Sequence, residues 1–579
     1  MDITVVIPTY NGAKRLPQVL DRLRSQRNQH GFTWEVIVCD NNSTDSTELV
    51  VRDYQGQTDW PSAVPLHYRF AAEQGAAHAR QYAVESAHGR LIAFLDDDNL
   101  PSDDWLDKAY GFAQQHPEAG AFGSQIHGAF EGPLPEGFGR IKCFLAIIER
   151  GEQPHLYEPK TKILPPAAGL VVRRDAWLAQ VPKRLFLNNK GKEAGLASED
   201  LEALLHIQKG GWQIWYNPDM VVYHQIPDSR LQRDYLVALF RCVGLSRSYI
   251  RLLGNPDWKR PLLVPAYIAN DLRRLVLHYV AKPQPQKDLS LFDACDREHL
   301  TSSLASPFFL LKKTSIDWVQ GWQAQHRLPD REQWLATLTS AFENRQFQLF
   351  QQVVRAVDET APQFEQRELL VRLVNGADRL PITPDQFFPI ARHYGVLATL
   401  DRWMIRQFFA LVASGEHAAA DAGCYAINLS ADSVNDRRFL GFIQSQLQHS
   451  SLPPEQVCFE ISAKTILAQP NTSRQLIRSL HTLGCGVTID DFNPTQLSTQ
   501  VVKQLPIDYL KLSRQWLWRQ HRLRFEPLDL LRSEDLGGAI AKGVETPEML
   551  RSVQQAGILY AQGYELSKPY PLVGADDDG

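Results

Sequence analysis

No CxxC pair, no GxGxxG run after the first strand-like stretch and no internal repeat linking its two halves occur in this 579-residue chain. No uncharged apolar run approaches the ~20 residues of a membrane span either. Without paired cysteines, structural zinc has no ligand set, and the odd total of seven reads as small buried hydrophobes in a reducing compartment. Without the glycine fingerprint, nicotinamide or flavin binding loses its main support. An excess of positive charge is also missing. The 61 Lys+Arg are outweighed by 66 Asp+Glu, for a net charge of -5, so no basic field for nucleic acid exists and an anionic ligand must be held locally. The start MDITVVIPTYNG shows no basic leader followed by an apolar core. A cytoplasmic protein is expected, with peripheral contact at the inner membrane face as an option.

What is present is a globular composition, 44% hydrophobic and 22% charged, in a chain too long for one ordinary core. Apolar β-branched runs at Ile3-Pro8, Glu35-Asp40 and Leu91-Asp96 alternate with helical patterns at Lys14-Gln26 and Ala76-Ser86, which predicts an α/β region with a parallel sheet over residues 1–230. Residues 231–282 read as a basic amphipathic helical extension. Its first helix groups Leu236, Leu239, Phe240 and Val243 on one face. The second carries Leu262, Leu263, Tyr267, Leu275 and Tyr279 beside Arg273, Arg274 and Lys282. The Pro-Gln repeat at 283–286 and a polar, weakly periodic stretch after it predict a linker over 283–332. From 333 to 579, strands at Tyr425-Leu429, Val457-Ile461, Gly486-Ile489 and Tyr509-Leu512 recur about every 30 residues with helical patterns between them, as in a (β/α) barrel. Asn428, Glu460, Asp490 and Lys511 close or flank these strands, and barrel strand ends converge on one mouth.

In the first half, Asp40 ends the second strand and Asp96-Asp97-Asp98 ends the third. Ligands of open α/β sheets sit outside such carboxyl ends. Clustered carboxylates repel each other unless a divalent cation or hydrogen-bond donors neutralise them, and a hard cation also suits a nucleoside diphosphate. The runs VVIPTYNG, VIVCDNNSTD, GAAHARQ, FLDDDNLPSDDW, AAGLVVRRDAW and LASEDLEALLHIQKGGWQIWYNPDMVVYH resemble the family 2 glycosyltransferases. That resemblance implies a GT-A sheet domain taking a nucleotide-diphospho-sugar, expected to be UDP-linked. It implies donor contacts from Thr9, Tyr10, Asp40, Arg80, Asp96 and Asp98, and Mn²⁺ or Mg²⁺ at Asp96, Asp98 and His224. Asp200 matches the catalytic base, beside Glu199. Inverting transfer to a glycan or lipid-linked acceptor would follow from one displacement. Asn41-Asn42 stand where many relatives carry Asp and Gly.

In the second half, Glu368-Leu369-Leu370-Val371-Arg372, INLS, CFEIS, TIDDFN, LPIDYLKLS, KGVET and AQGYELSKP resemble the EAL phosphodiesterase domain, which hydrolyses or senses cyclic di-GMP. The resemblance implies an EAL-type (β/α)8 barrel, with Mn²⁺ or Mg²⁺ ligands at Glu368, Asn428, Glu460, Asp490, Asp491 and Glu545. It places cyclic di-GMP against Glu368, Leu370, Arg372, Lys511 and Gln562, and allows a homodimer through this domain. Four departures point to a binder or slow enzyme: Leu369 for Ala, Ala463 for a loop-anchoring Glu, Asn493-Pro494-Thr495-Gln496-Leu497 for a Gly-rich loop, and Lys542 for Glu. The expected whole is a transferase for exopolysaccharide or surface glycan, regulated by cyclic di-GMP. An active phosphodiesterase and a receptor with a silent transferase half are the rivals.

Overall fold

The computed structural model describes residues 1–158, 164–188, 198–327, 331–357, 365–374, 381–415, 423–494, 496–497, 499–519, 522–523 and 538–573. Thr495 and the acidic tail at 576–578 lie outside the described residues. The chain divides into two units, Met1–Glu332 and Gln333–Gly579.

In the first unit, Ile3–Thr9 is the switch point of a mixed sheet. Trp34–Asp40 and then Leu66–Phe70 lie on one side of it and Leu91–Phe94 on the other, all parallel. Val171–Arg173, Ala119–Phe130, Gln213–Ile226 and Asn99–Pro101 extend the sheet beyond Leu91–Phe94. The central strands are buried along nearly their whole length because helices cover both faces, which explains their continuous apolar runs. Helix Leu16–Arg24 buries Leu16, Val19, Leu20 and Leu23, the one-sided spacing of an amphipathic helix. The strand from Leu91 is shorter than its apolar run. It stops at Phe94, and Asn99 folds the chain back by accepting from Asp96 N (3.1 Å) and donating its own N–H to Asp96 O (3.0 Å).

The extension forms helices Arg233–Leu253 and Arg260–Ala281. The linker reading of 283–332 needs correction: Leu291–Arg327 is one helix, and its first half packs on Arg233–Leu253. The two approach so closely that a Cβ on Gly244 would stand 1.9 Å from Ser302 Oγ. Ser246, Ser248, Ser302, Ser303 and Ser306 are all buried there. Ser302 and Ser303 satisfy their hydroxyls on carbonyls one turn back, and Ser306 bonds across to Leu245 O. A packing face built from serine and glycine carries no apolar periodicity, so the pattern reads as polar linker.

The second unit is a closed barrel. Glu365–Leu373, Gly423–Leu429, Val457–Ser462, Gly486–Phe492, Tyr509–Leu512, Gly538–Lys542 and Tyr560–Gln562 run parallel in that order, and Phe347–Ala356 closes the ring. The closing strand is antiparallel to both neighbours. The chain between Ala356 and Glu365 is shorter than the dozen or so residues that a parallel crossover needs. The core lies between barrel and helices, where Leu369, Phe408, Tyr425, Phe459 and Ile489 pack together.

Candidate functional sites

The transferase-like crevice opens at the carboxyl ends of Ile3–Thr9, Trp34–Asp40 and Leu91–Phe94. Gly12 is required where the first strand turns away, since a Cβ there would meet Thr9 Oγ1 at 2.0 Å and Asp97 Oδ2 at 2.7 Å. Those two atoms are hydrogen-bonded, with Thr9 Oγ1 donating at 2.6 Å. Asn42 holds φ at 63°, a left-handed backbone that Asn adopts more readily than most residues with a side chain.

Of the two ways that the sequence left open for neutralising the three successive carboxylates, a cation or hydrogen-bond donors, the structure shows donors. Each has its own arginine. Asp96 takes Arg80 Nη2 at 3.1 Å, Asp97 takes Arg15 Nε and Nη2 at 2.8 Å, and Asp98 pairs with Arg230 Nη1 at 2.9 Å. Sequence reasoning missed Arg15 and Arg230. The only available signal was their closeness to Gly12 and His224. Burial raises Asp97 despite Arg15, whereas His224 and Arg230 overcome burial and lower Asp98. His224 Nδ1 faces Leu145 O at 2.9 Å, which assigns a proton to that nitrogen, and Nε2 faces Arg230 (3.3 Å) and Asp98 Oδ1 (3.6 Å).

Arg80 also donates to Glu199 Oε1 at 3.0 Å and so ties Asp96 to the opposite wall. Asp200, with Arg80, Glu199, Ala167 and Trp177, lines a pocket there. Helix Glu199–Lys209 starts from Ser198 at φ 86°, and Asp200 accepts N–H bonds from Ala167 and Leu201. Burial, then the neighbouring Glu199 charge, pushes Asp200 up to about 6. Asp40 is buried, with both oxygens accepting, from Tyr68 Oη (3.0 Å) and Ser43 N (2.8 Å), and burial raises it to about 6. Tyr10 is 42% exposed at the crevice rim.

At the barrel centre, Glu368 accepts from Asn428 Nδ2 (2.6 Å), Lys511 Nζ (2.7 Å) and Gln562 Nε2 (2.6 Å). Lys511 also reaches Glu460 at 2.5 Å. Burial opposes ionisation of Glu368, but Lys511 and Lys542 prevail and hold it at about 2. Glu460 is raised to about 8 by burial and by Glu368 and Asp490. Asp490 and Asp491 both meet Lys542, at 2.7 and 3.2 Å. Glu545 is exposed and pairs with Arg514 at 2.8 Å. Leu370 and Arg372 alternate along the strand with buried Leu369 and Val371. The Ala-to-Leu departure at 369 therefore enlarges the core outside the barrel and leaves the site untouched. Ala463 is likewise core. Among the described residues, no three acidic, His or Cys side chains converge as a ready metal cage in either unit.

Residues 335–569 match the EAL domain family, and residues 4–171 match Glycosyl transferase family 2. Over 245 residues the chain is 26% identical to Cyclic di-GMP phosphodiesterase PdeB of Shewanella oneidensis, covering 41% of this chain and 28% of that one. It is 28% identical over 255 residues to Cyclic di-GMP phosphodiesterase PdeF of Escherichia coli, covering 43% and 33%. The chain thus spans a third or less of the length of these curated relatives. Among solved structures, the FimX EAL domain from Pseudomonas aeruginosa bound to c-di-GMP aligns with 25% identity and a TM-score of 0.36, over 42% of this chain and 98% of that one. The chain joins a Glycosyl transferase family 2 region to an EAL domain.

Proposed function

We propose that the first unit is an inverting glycosyltransferase using a UDP-linked sugar, and that cyclic di-GMP bound in the barrel regulates it. The observation that carries the transferase reading is the span from Asp98 and His224, through Asp96 and Arg80, to Glu199 and Asp200 across the crevice at the sheet's switch point. Asp98 and His224 fit a divalent ion whose other ligands come from a diphosphate and water, because such ions usually take only one or two protein carboxylates. Bound there, the ion would neutralise charge on the leaving diphosphate. Asp200 accepts the acceptor hydroxyl's proton, its raised affinity suiting a base that works near neutrality. Arg80 holds Asp96 and Glu199 in place. A single displacement at the anomeric carbon inverts it. The test is a screen of nucleotide sugars for release of nucleoside diphosphate with Mn²⁺, with and without cyclic di-GMP. Release from none of them, with folded protein, removes the transferase reading.

The acceptor is proposed to be lipid-linked, and the product a surface glycan. In helix Arg260–Ala281 the fully buried residue is Asp271, bonded to Arg251, while Leu262 and Val280 are 72% and 75% exposed. Trp258, 72% exposed, precedes them, and Arg273, Arg274 and Lys282 supply positive charge. An apolar face with a basic border suits an anionic bilayer. No helix among the described residues is long and apolar enough to cross one. Flotation with phosphatidylglycerol vesicles should carry the protein, and Leu262→Asp with Val280→Asp should release it. Flotation unchanged by both substitutions would remove this surface from the reading.

A further inference from the structure

We infer that Lys542 is a built-in cation of the barrel: its ammonium stands between Asp490 and Asp491 where a divalent ion would bind, so this centre holds a phosphodiester nucleotide intact instead of hydrolysing it. The nucleotide part and the ion position at Asp490 and Asp491 rest on the cyclic di-GMP reading above, whereas the placement of the Lys542 ammonium between the two carboxylates is geometry.

Successive strand residues point to opposite faces, so Asp490 and Asp491 would ordinarily diverge. Here Asp491 adopts φ 50°, and the register between Ile489 and Phe492 is irregular. Both carboxylates thereby reach one ammonium, at 2.7 and 3.2 Å. Lys542 is not a surface lysine folded in by chance. It ends the strand Gly538–Lys542, is paired in register with Gln562, and its carbonyl accepts from Trp518 Nε1 at 2.8 Å. Its backbone has no freedom to withdraw.

A hard ion needs several oxygens at about 2.0–2.6 Å. Asp490 and Asp491 have oxygens held by Lys542, Glu368 is occupied by Asn428, Lys511 and Gln562, and Glu545 pairs with Arg514. A two-ion clamp on an in-line displacement needs ions on both sides of the phosphorus. The residues at the second position do not fit one. Two of the three N–H groups of the Lys542 ammonium meet Asp490 and Asp491, and the third remains to donate to a phosphate oxygen.

The test uses the full chain carrying Asp98→Asn, which removes the transferase unit's ion ligand. Mn²⁺ alone is titrated and read by electron paramagnetic resonance, and cyclic di-GMP is titrated separately in EDTA. The expected result is weak Mn²⁺ binding, cyclic di-GMP binding in EDTA, and no linear dinucleotide product when cyclic di-GMP and Mn²⁺ are supplied together. Lys542→Glu should tighten Mn²⁺ binding roughly 10- to 100-fold. Lys542→Met removes the charge without adding a ligand. It should give a smaller gain, and it carries the test if Lys542→Glu does not fold. Mn²⁺ binding equally tight in all three proteins, or rapid turnover of cyclic di-GMP, overturns the inference. Weak Mn²⁺ binding that tightens in the variants, with no cyclic di-GMP binding, supports the cation role and removes the nucleotide reading instead.

Discussion

At the transferase crevice Arg230 reaches Asp98 from the four-residue helix Asp228–Leu231 and keeps 32% of its side chain exposed. In the barrel, Lys511 is wholly buried and Lys542 is fixed at the end of a hydrogen-bonded strand. The same pairing of acid and base therefore has two physical meanings. A guanidinium on a short surface helix can swing away when a more highly charged cation and a diphosphate arrive. The Lys511 ammonium, wholly buried against Glu368 and Glu460, has no solvent to swing into, and Lys542 is held to two carboxylates at once. On the proposed reading, the first arrangement leaves room for an ion and a diphosphate, and the second stands in for an ion.

The largest effect expected is on the chemical step. Asp200→Asn should lower kcat by about 10²- to 10⁴-fold while nucleotide affinity changes little, because the residue acts on the acceptor hydroxyl. In the unaltered protein the base must be ionised. With its affinity raised to about 6, rates should rise through pH 6 and level off above about 7, and this acid limb should vanish from the residual activity of the variant. A flat profile in the unaltered protein would count against Asp200 as the base.

In the barrel, Lys511→Met leaves Glu368 and Glu460 buried without their shared cation and should destabilise this unit by about 3–5 kcal/mol in urea unfolding. A loss below 1 kcal/mol would mean that water already reaches the pair and that the barrel lysines are no more fixed than Arg230. A smaller change is expected from His224→Ala, roughly 10- to 100-fold in Mn²⁺ affinity of the transferase unit. The smallest belongs to Arg230→Ala, which should tighten Mn²⁺ only a few-fold, since a displaceable guanidinium opposes the ion weakly. A gain as large as that from Lys542→Glu would erase the contrast between the two clusters.

The fold was largely legible because its strands are long apolar runs and its helices amphipathic: Tyr509–Leu512 lies where the pattern predicts it, and Ile3–Thr9 within one residue. The serine-lined helix from Leu291 was not, since small polar residues pack by close approach and leave no hydrophobic period. Among the site candidates, the sequence named the acids more readily than their partners. Acids at strand ends are local signals, whereas Arg15 and Asp97 are 82 positions apart and Lys542 and Asp490 are 52 apart.

The order of residues alone determined that two α/β units follow one another, that carboxylates cluster at the carboxyl ends of their strands, and that Lys542 stands where an acid is expected. The first two follow from periodicity and motif order, which short stretches of chain encode, and the third is what the resemblance to the EAL domain implies. Only the tertiary structure decided that each of Asp96, Asp97 and Asp98 has a separate arginine, that Glu545 turns to Arg514, and that Lys542 bridges Asp490 and Asp491. The reason is that charge pairing acts through space. A carboxylate's partner is whichever base the fold brings within about 3 Å, and sequence distance carries no information about that.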